Sequence, residues 1–207
     1  LAAFRIEVVA RTDQAEHLAK LQYSAFLHDD AGLDFIEGGG NIALCMEPVQ
    51  RGFIDSSDLD GIDLKWGNVH AVDELVKKII HREGIGDKLA NGTYETAKYF
   101  AELKGKPEIM GYHVTTHRYG QPAHDTRSPK DKNAMEYVTV NRAIAHTGGG
   151  GGGFKSGDWA AAAAGQNSTS AVNSLVHCNF AAGNFAGKSV DMLKAACGWD
   201  DFTEEDL

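Results

Sequence analysis

The sequence predicts a mainly α-helical fold with one short extended stretch. Apolar residues recur at intervals of three and four along several segments, which is the spacing of one face of an α-helix. Residues that cap helices, and glycines that end them, stand at the borders of those segments. A single stretch, residues 107–125, has the valine, threonine and tyrosine content that is typical of extended structure.

The first predicted helix is capped by Thr12 or Asp13 and carries apolar residues at helical spacing. It ends at residues 32–33, where glycine can take the left-handed cap position and the following leucine can fold back onto the last turn. The glycines at 38–40 are expected to break the chain because glycine disfavours a helix interior. A shorter helix is then expected over residues 42–49.

The clearest predicted helix follows an acidic, turn-rich connection at residues 55–63. Asn68 caps this helix, and Gly84 and Gly86 end it. A further helix with a weaker apolar stripe is expected over residues 87–103. The apolar residues of the clear helix share one face: Val72, Leu75, Val76, Ile79 and Ile80.

The C-terminal part of the chain is expected to be helical again, with a glycine run as its best internal boundary. The consecutive glycines at 148–153 and alanines at 160–164 predict a low-complexity loop, because runs of this kind have few side chains to pack. The alternative is that these runs stand in for side chains that were never identified. Helices are expected over residues 131–145, 168–180 and 189–196.

The expected domain organisation follows from that boundary. Residues 1–147 are predicted to form part of one helical domain, which contains the short extended segment. Residues 148–165 are predicted to be the low-complexity loop. Residues 166–207 are predicted to be the start of a second helical domain.

The charge balance and the cysteine content exclude several classes of protein. The 207 residues include 29 acidic and 20 basic ones, a net charge of −9, which argues against a nucleic-acid or anionic-membrane partner. No apolar run is long enough for a membrane span, and a cytoplasmic protein is expected. Cys45, Cys178 and Cys197 are far apart, so they predict neither a disulfide framework nor a complete four-thiolate metal site.

The end of the first predicted helix carries a concentration of acidic residues. Asp29, Asp30 and Asp34 stand at a helix C-terminus, where the helix dipole is negative and each carboxylate costs about 0.3–1 kcal/mol. Exposed aspartates tolerate penalties of this size, so a purely structural role is one interpretation. The functional interpretation is that a ligand with N–H donors, or a cation, binds at this helix end.

The spacing of Asp29, Gly32, Leu33 and Asp34 (DxxGLD) resembles the pterin-contacting motif of the aldehyde:ferredoxin oxidoreductase family. Enzymes of this family carry a tungsten or molybdenum bis-pyranopterin. The resemblance covers nearly all of this chain but only part of a family protein. Further stretches are similar to family segments in the same order along the chain: ALCMEPVQRG at 43–52, DLKWGNVHAVDELVKKIIHREGIGDKL at 63–89, QPAHDTR at 121–127, YVTVNRAIAH at 137–146 and CGWDDFTEEDL at 197–207.

The resemblance implies a fold like the second and third domains of that family, and it assigns roles to the motif residues. Asp29 and Asp34 would accept hydrogen bonds from N–H groups of the pterin. Gly32, followed by Leu33, would allow the backbone to approach the cofactor closely.

A second pterin motif of the family, Asp-x-x-Gly-Leu-Cys, is matched only in part. By resemblance, Asn173 and His177 would lie at the pterin, and Cys178 would be the fourth thiolate ligand of a 4Fe–4S cluster. Asn173 replaces an acceptor-only carboxylate with a mixed donor and acceptor. Taken without the family, a lone cysteine on an apolar helix is more often a small buried hydrophobic residue.

Two residues are assigned to proton chemistry by the same resemblance. His146 occupies the position of the family's histidine near the metal, and Glu7 aligns loosely with its active-site glutamate. An imidazole suits proton transfer because its pKa lies near the working pH. Taken alone, His146 is a loop histidine and Glu7 is the exposed face of a short strand.

The implied activity is the oxidation of an aldehyde with water to a carboxylic acid. Electrons would pass through the cluster to ferredoxin or to another electron-transfer subunit, and an oligomer is expected. The chain is expected to be a fragment that is inactive alone. Two alternatives stay open: a tungsten subunit of the benzoyl-coenzyme-A reductase type, which acts on an acyl-CoA substrate, and a noncatalytic helical scaffold module.

Overall fold

The structure is a computed structural model that describes four stretches of the chain: residues 14–120, 159–176, 179–185 and 187–206. The chain divides into two compact units, residues 1–124 and 125–207. The described residues are mainly α-helical, which confirms the predicted fold class. None of the helices in these stretches is long and apolar enough to cross a membrane.

Helix α1 (Gln14–Asp30) ends in the cap that the sequence predicts. Gly32 has a φ of +69°, and its N–H donates to the carbonyl of Asp29 at 3.1 Å. The N–H of Leu33 donates to the carbonyl of His28 at 2.8 Å, which completes a Schellman motif. Leu33 also packs against the core of the unit. Backbone hydrogen bonds and one apolar contact therefore hold the chain reversal after α1.

Helix α2 (Phe35–Gln50) runs through the three glycines, so the chain break expected at residues 38–40 is wrong. The Asp34 side chain caps this helix by accepting a backbone N–H of its first turn at 2.7 Å. Gly38 has no room for a side chain, because a Cβ there would lie 2.2 Å from Nε2 of His28. Capping and close packing outweigh the low helix propensity of glycine.

Helix α3 (Val69–His81) is the amphipathic helix that the sequence predicts, and the Asn68 side chain caps it by accepting a backbone N–H at 3.2 Å. The helix ends at Arg82, which has a φ of +53°, rather than at the glycines that follow. Gly86 lies inside the next helix, where a Cβ would be 2.2 Å from the backbone of Lys78. This glycine therefore allows two helices to approach closely instead of ending one.

The helix predicted over residues 87–103 is wrong in extent. Two helices occupy this region: α4 (Ile85–Leu89) and α5 (Thr93–Lys104). Gly92 separates them with a φ of +89°, which a residue with a side chain rarely adopts. The apolar pattern runs through this turn because both helices bury residues in the same core.

Asp60 caps α4 from a distant part of the chain. Its carboxylate accepts from the N–H of Ile85 at 2.8 Å and from Nζ of Lys78 at 3.2 Å. These hydrogen bonds hold the pKa of Asp60 below its ordinary value, and the one from the backbone N–H of Ile85 has the largest effect. A Cβ on Gly84 would lie 2.0 Å from this carboxylate, so only glycine fits at the start of α4.

The extended structure predicted over residues 107–125 is much shorter in the part that the structure describes. Residues Pro107–Tyr112 form a 3₁₀-helix instead. Strands β1 (Thr115–Thr116) and β2 (Tyr119–Gly120) pair antiparallel, with Thr115 opposite Gly120. Strand β2 contacts α2 and α5, and the hairpin lies beside the first turns of both helices, where it contacts Glu37 and Glu95.

The core of the N-terminal unit lies between helices α2, α3, α4 and α5. Helix α3 packs against α1 and α4, and α2 packs against α5. The predicted stripe on α3 faces this core, with three of its residues buried and two partly buried. The most deeply buried large apolar side chains come from the helices and from the connections between them: Phe100, Ile42, Leu44, Leu59, Leu64, Leu75, Leu89 and Ile109.

The described part of the C-terminal unit consists of α6 (Trp159–Ser174), a 3₁₀-helix (Asn179–Phe185) and α7 (Ser189–Cys197). Helix α7 confirms the last predicted helix. Helix α6 begins before its predicted start at residue 168 and includes the alanine run, because alanine is the strongest helix former. The helix predicted over residues 131–145 lies outside the described residues.

Candidate functional site

The candidate site is the connection between α1 and α2, residues 29–34, which we call the acidic loop. The Asp29 carboxylate is exposed and makes no hydrogen bond or ion pair with the described residues. Gly32 is exposed as well, and a Cβ there would meet nothing within 4 Å. Among the described residues, the acidic loop therefore offers a carboxylate without a partner next to an uncovered stretch of backbone whose conformation is fixed.

Asp34, at the other end of the acidic loop, already has two partners. One carboxylate oxygen accepts from the N–H of Glu37 at 2.7 Å, and the other accepts from the hydroxyl of Tyr119. Because Tyr119 lies in β2, this carboxylate ties the acidic loop to the hairpin. Each carboxylate oxygen can accept more than one hydrogen bond, so Asp34 keeps acceptor capacity for a ligand.

A buried histidine, which sequence reasoning missed, precedes the acidic loop. His28 is 1% exposed, and its Nδ1 donates to the carbonyl of Ser24 at 2.7 Å. Its ring contacts the ring of Phe35 edge to face, with centroids 5.4 Å apart, and it lies against Gly38. The imidazole thus fills the space between the end of α1 and the start of α2. The sequence feature that could have revealed this packing is the glycine cluster at residues 38–40, but glycines in a row are typical of a helix break.

Glu37 joins three elements and was also missed. It lies in the first turn of α2, where one carboxylate oxygen accepts from the N–H of Thr93 at 2.8 Å and the other accepts from the N–H of Gly120 at 2.6 Å. A Cβ on Gly120 would lie 2.2 Å from this carboxylate, so the close approach requires glycine. The two donors are 56 and 83 positions away, and no local sequence pattern reveals them.

Polar atoms without hydrogen-bond partners among the described residues are buried in the same region. They include both ring nitrogens of His113 and the hydroxyl of Thr93. Burial lowers the pKa of His113, and the negative charge of Glu37 opposes part of that shift. The His113 ring contacts the ring of Tyr94, with centroids 5.7 Å apart. The lowered pKa favours the neutral form of the His113 imidazole.

The structure describes only one of the site residues predicted outside the acidic loop. Glu7, His146, His177 and Cys178 lie outside the described residues, so their roles stay predictions. Asn173 lies in the last turn of α6 in the C-terminal unit, and it is exposed. An exposed side chain at a helix end can reach a ligand, but no contact of Asn173 assigns it one.

The cysteines in the described part of the chain do not form a metal site. Cys45 is fully buried, which raises the pKa of its thiol to about 12 and keeps it protonated at pH 7. Cys197 is exposed and free. Within the described stretches, no group of three or more His, Cys, Asp or Glu side chains is arranged to hold a metal ion.

Comparison with known sequences decides the family. Residues 10–207 match the family described as "Aldehyde ferredoxin oxidoreductase, domains 2 & 3". The chain belongs to this family. The resemblance that the DxxGLD motif indicates is thereby confirmed, and the mainly helical fold agrees with it.

Several curated oxidoreductases are similar to this chain. The tungsten-containing aldehyde ferredoxin oxidoreductase of Pyrococcus furiosus is 35% identical over 130 residues, which is 62% of this chain and 20% of that protein. The protein of the same name from Thermococcus kodakarensis is 34% identical over 119 residues, 57% of this chain and 18% of the relative. The WOR-like subunit of an aliphatic sulfonate oxidoreductase from Pyrococcus furiosus is 38% identical over 112 residues, 54% of this chain and 18% of the relative. The matched region spans about a fifth of the length of these relatives.

The acidic loop of this aldehyde ferredoxin oxidoreductase family member fits a pterin. A pterin ring presents N–H and amino groups, which need hydrogen-bond acceptors. The exposed Asp29 carboxylate is such an acceptor and has no competing partner among the described residues. The open space at Gly32 leaves room for a flat ring to approach the backbone. The residues present therefore match the group that the family's motif predicts.

Proposed function

We propose that this chain forms a cofactor-binding helical part of a tungsten oxidoreductase, and that its acidic loop binds one edge of a bis-pyranopterin. Membership of the family and the tungsten-containing relatives support this proposal. The observation that carries it is the exposed Asp29 carboxylate, which has no partner among the described residues, beside the open backbone of Gly32.

The acidic loop would bind through acceptors that are oriented before the ligand arrives. Asp29 and Asp34 would accept hydrogen bonds from pterin N–H groups. The Schellman motif and the cap of α2 already fix the loop backbone, which lowers the ordering cost of binding. A side chain at position 32 would be strained at a φ of +69° and would enter the space that the ring needs.

The proposed reaction is the oxidation of an aldehyde with water to a carboxylic acid, with release of two electrons and two protons. The bound tungsten or molybdenum pterin supplies the redox chemistry. Glu7 is proposed to take a proton from the attacking water, and His146 to orient or protonate the substrate oxygen. Asn173 and His177 are proposed to contact the cofactor at the second motif.

Electron transfer is proposed to use an iron–sulfur cluster, whose proposed ligand lies outside the described residues. Cys178 is proposed as one thiolate ligand of a 4Fe–4S cluster, and this proposal depends on the motif alone. Cys45 lies in the apolar core of the N-terminal unit and belongs to no group of metal-binding side chains among the described residues, which argues against that residue as the ligand. Ferredoxin or another electron-transfer subunit is the proposed acceptor of the electrons.

A second candidate substrate is supported by one relative. The chain is 38% identical to a protein named as the WOR-like subunit of an aliphatic sulfonate oxidoreductase. On this alternative, the acidic loop would bind the same cofactor, but the enzyme would have several subunits and act on an aliphatic sulfonate. The substrate therefore separates the two candidates, whereas the cofactor does not.

Metal and pterin analysis of the native protein tests the proposal. We expect tungsten or molybdenum, iron and a pterin to be bound in the native holoenzyme. Reduction of a viologen dye by aldehydes supports the first candidate, and reduction that depends on an alkyl sulfonate supports the second. A native preparation without tungsten, molybdenum and pterin would contradict both candidates and favour the noncatalytic helical module.

A further inference from the structure

Tyr119 contacts the acidic loop although it is far away in the sequence. Its hydroxyl donates to the carboxylate of Asp34, 85 positions earlier. The other oxygen of this carboxylate accepts the N–H of Glu37 at 2.7 Å. With one donor on each oxygen, the carboxylate plane of Asp34 is held in one orientation. Without the Tyr119 hydroxyl, only the capping hydrogen bond from Glu37 would restrain the last side-chain torsion of Asp34. This torsion has a broad range of allowed angles.

The strand that carries Tyr119 is itself anchored. The N–H of the next residue, Gly120, donates to Glu37 at 2.6 Å, and the two groups approach so closely that a Cβ could not fit. On the other side of Tyr119, Arg118 forms an ion pair with Glu95 at 2.8 Å. Contacts on both sides of Tyr119 thus fix the position from which its hydroxyl reaches the acidic loop.

The orientation of Asp34 matters for the ligand because hydrogen bonds are directional. The lone pairs that remain on the Asp34 carboxylate point in directions set by the two donors already bound. A binding group that neighbouring hydrogen bonds hold in place binds more tightly than one that must be ordered by its ligand. The Asp29 carboxylate has no such hydrogen bonds with the described residues. Among these residues, orientation by neighbouring donors is therefore found at the Asp34 end of the acidic loop.

We infer that Tyr119 is a positioning residue, whose hydroxyl orients the Asp34 carboxylate towards the pterin. This inference rests on the proposed function of the acidic loop. Tyr119 acts through Asp34 and through the hairpin that Glu37 anchors, and it takes no part in the redox chemistry.

The test is Tyr119→Phe in the holoenzyme, with the rate of pterin release as the readout. The loss of a hydrogen bond to a charged acceptor should increase this rate about tenfold. Pterin release can be followed by the fluorescence of the oxidised pterin, and the tungsten that stays on the protein can be measured in parallel. Tyr94→Phe is the matched control, because the Tyr94 hydroxyl makes no hydrogen bond with the described residues and its loss should leave the rate unchanged.

A spectroscopic readout separates positioning from a merely structural role. The electron paramagnetic resonance signal of the bound tungsten should change its g values in Tyr119→Phe and not in Tyr94→Phe, because only the former alters the hydrogen bonding of the pterin. An unchanged release rate would overturn the inference. Faster release with an unchanged spectrum and a lower unfolding temperature would also overturn it, since the role would then be structural. In both cases the proposed function stands, whereas a wild-type holoenzyme that contains no pterin overturns both.

Discussion

Helices α2 and α3 belong to the same unit but are stabilised in different ways. Helix α3 depends on its apolar stripe, in which Leu75 and Val76 are 0% exposed. The first half of α2 depends on the carboxylates of Asp34 and Glu37 and on the close contact of Gly38. The comparison shows that the first half of α2, beside the acidic loop, is held by polar contacts and close packing, while α3 is held by burial of an apolar face.

The largest expected effect on the free energy of unfolding comes from removing a buried apolar side chain of α3. Leu75→Ala leaves a cavity in the core and should lower the free energy of unfolding by about 3 kcal/mol. Denaturant unfolding followed by circular dichroism measures this change. Glu74→Ala, an exposed position on the same helix, should stay within about 0.5 kcal/mol of the wild type. Equal effects at the two positions would show that α3 does not depend on its stripe.

The next largest effect on stability concerns two glycines of α2, whose replacement by alanine should change the stability in opposite directions. Gly38→Ala places a Cβ 2.2 Å from the His28 ring and should destabilise the protein by about 2 kcal/mol. Gly40→Ala meets nothing within 4 Å and should stabilise it by about 0.5–1 kcal/mol, because alanine favours the helix. Thermal unfolding of both variants decides this prediction. A gain in stability for Gly38→Ala would mean that close packing does not determine this part of α2.

A smaller effect is expected at the polar junction between α2, α5 and β2. Glu37→Gln replaces one of the two carboxylate acceptors with an amide donor and should cost about 1 kcal/mol. Hydrogen exchange should become faster at the N–H of Thr93 or of Gly120, whichever loses its acceptor. Glu83→Gln is the control, because Glu83 is exposed and its side chain makes no hydrogen bond or ion pair with the described residues. Unchanged exchange at both N–H groups would argue against the junction.

The smallest expected effect is a pH dependence of stability near the same junction. Burial lowers the pKa of folded His113 below its ordinary value of 6.5, so the unfolded chain binds the proton more readily. The contribution of His113 to stability is therefore complete above pH 6.5 and decreases as the pH falls through 6.5 towards the folded pKa. His113→Phe should flatten this part of the profile, while His81→Gln, at an exposed position, should leave it in place. A profile that His113→Phe does not change would contradict this assignment.

The sequence predicts α3 and the end of α1 because their determinants are local. An apolar stripe with Asn68 as cap, and Gly32 followed by Leu33, are each contained in a few consecutive residues. The prediction fails at residues 38–40 because the partner that makes glycine favourable there is the ring of His28, on another helix. It fails again at residues 87–103, where a continuous apolar pattern runs through a turn.

The same distinction applies to the candidate site. The motif identifies Asp29, Gly32, Leu33 and Asp34, since these residues lie within one loop. It does not identify Glu37 or Tyr119, whose roles arise from contacts across more than fifty positions. The residues proposed to bind the cofactor directly are therefore indicated by a spacing, whereas the residues that hold them in place require the folded structure.

The most direct test of the central claim is the pterin and tungsten content of a holoenzyme that carries Asp29→Ala. The proposed function predicts that this variant loses most of both. Asp30→Ala is the matched control, because Asp30 is the adjacent exposed aspartate but occupies an unspecified position of the DxxGLD motif, and it should keep the wild-type content. Full retention in Asp29→Ala, or an equal loss in the two variants, would show that the acidic loop does not bind the cofactor.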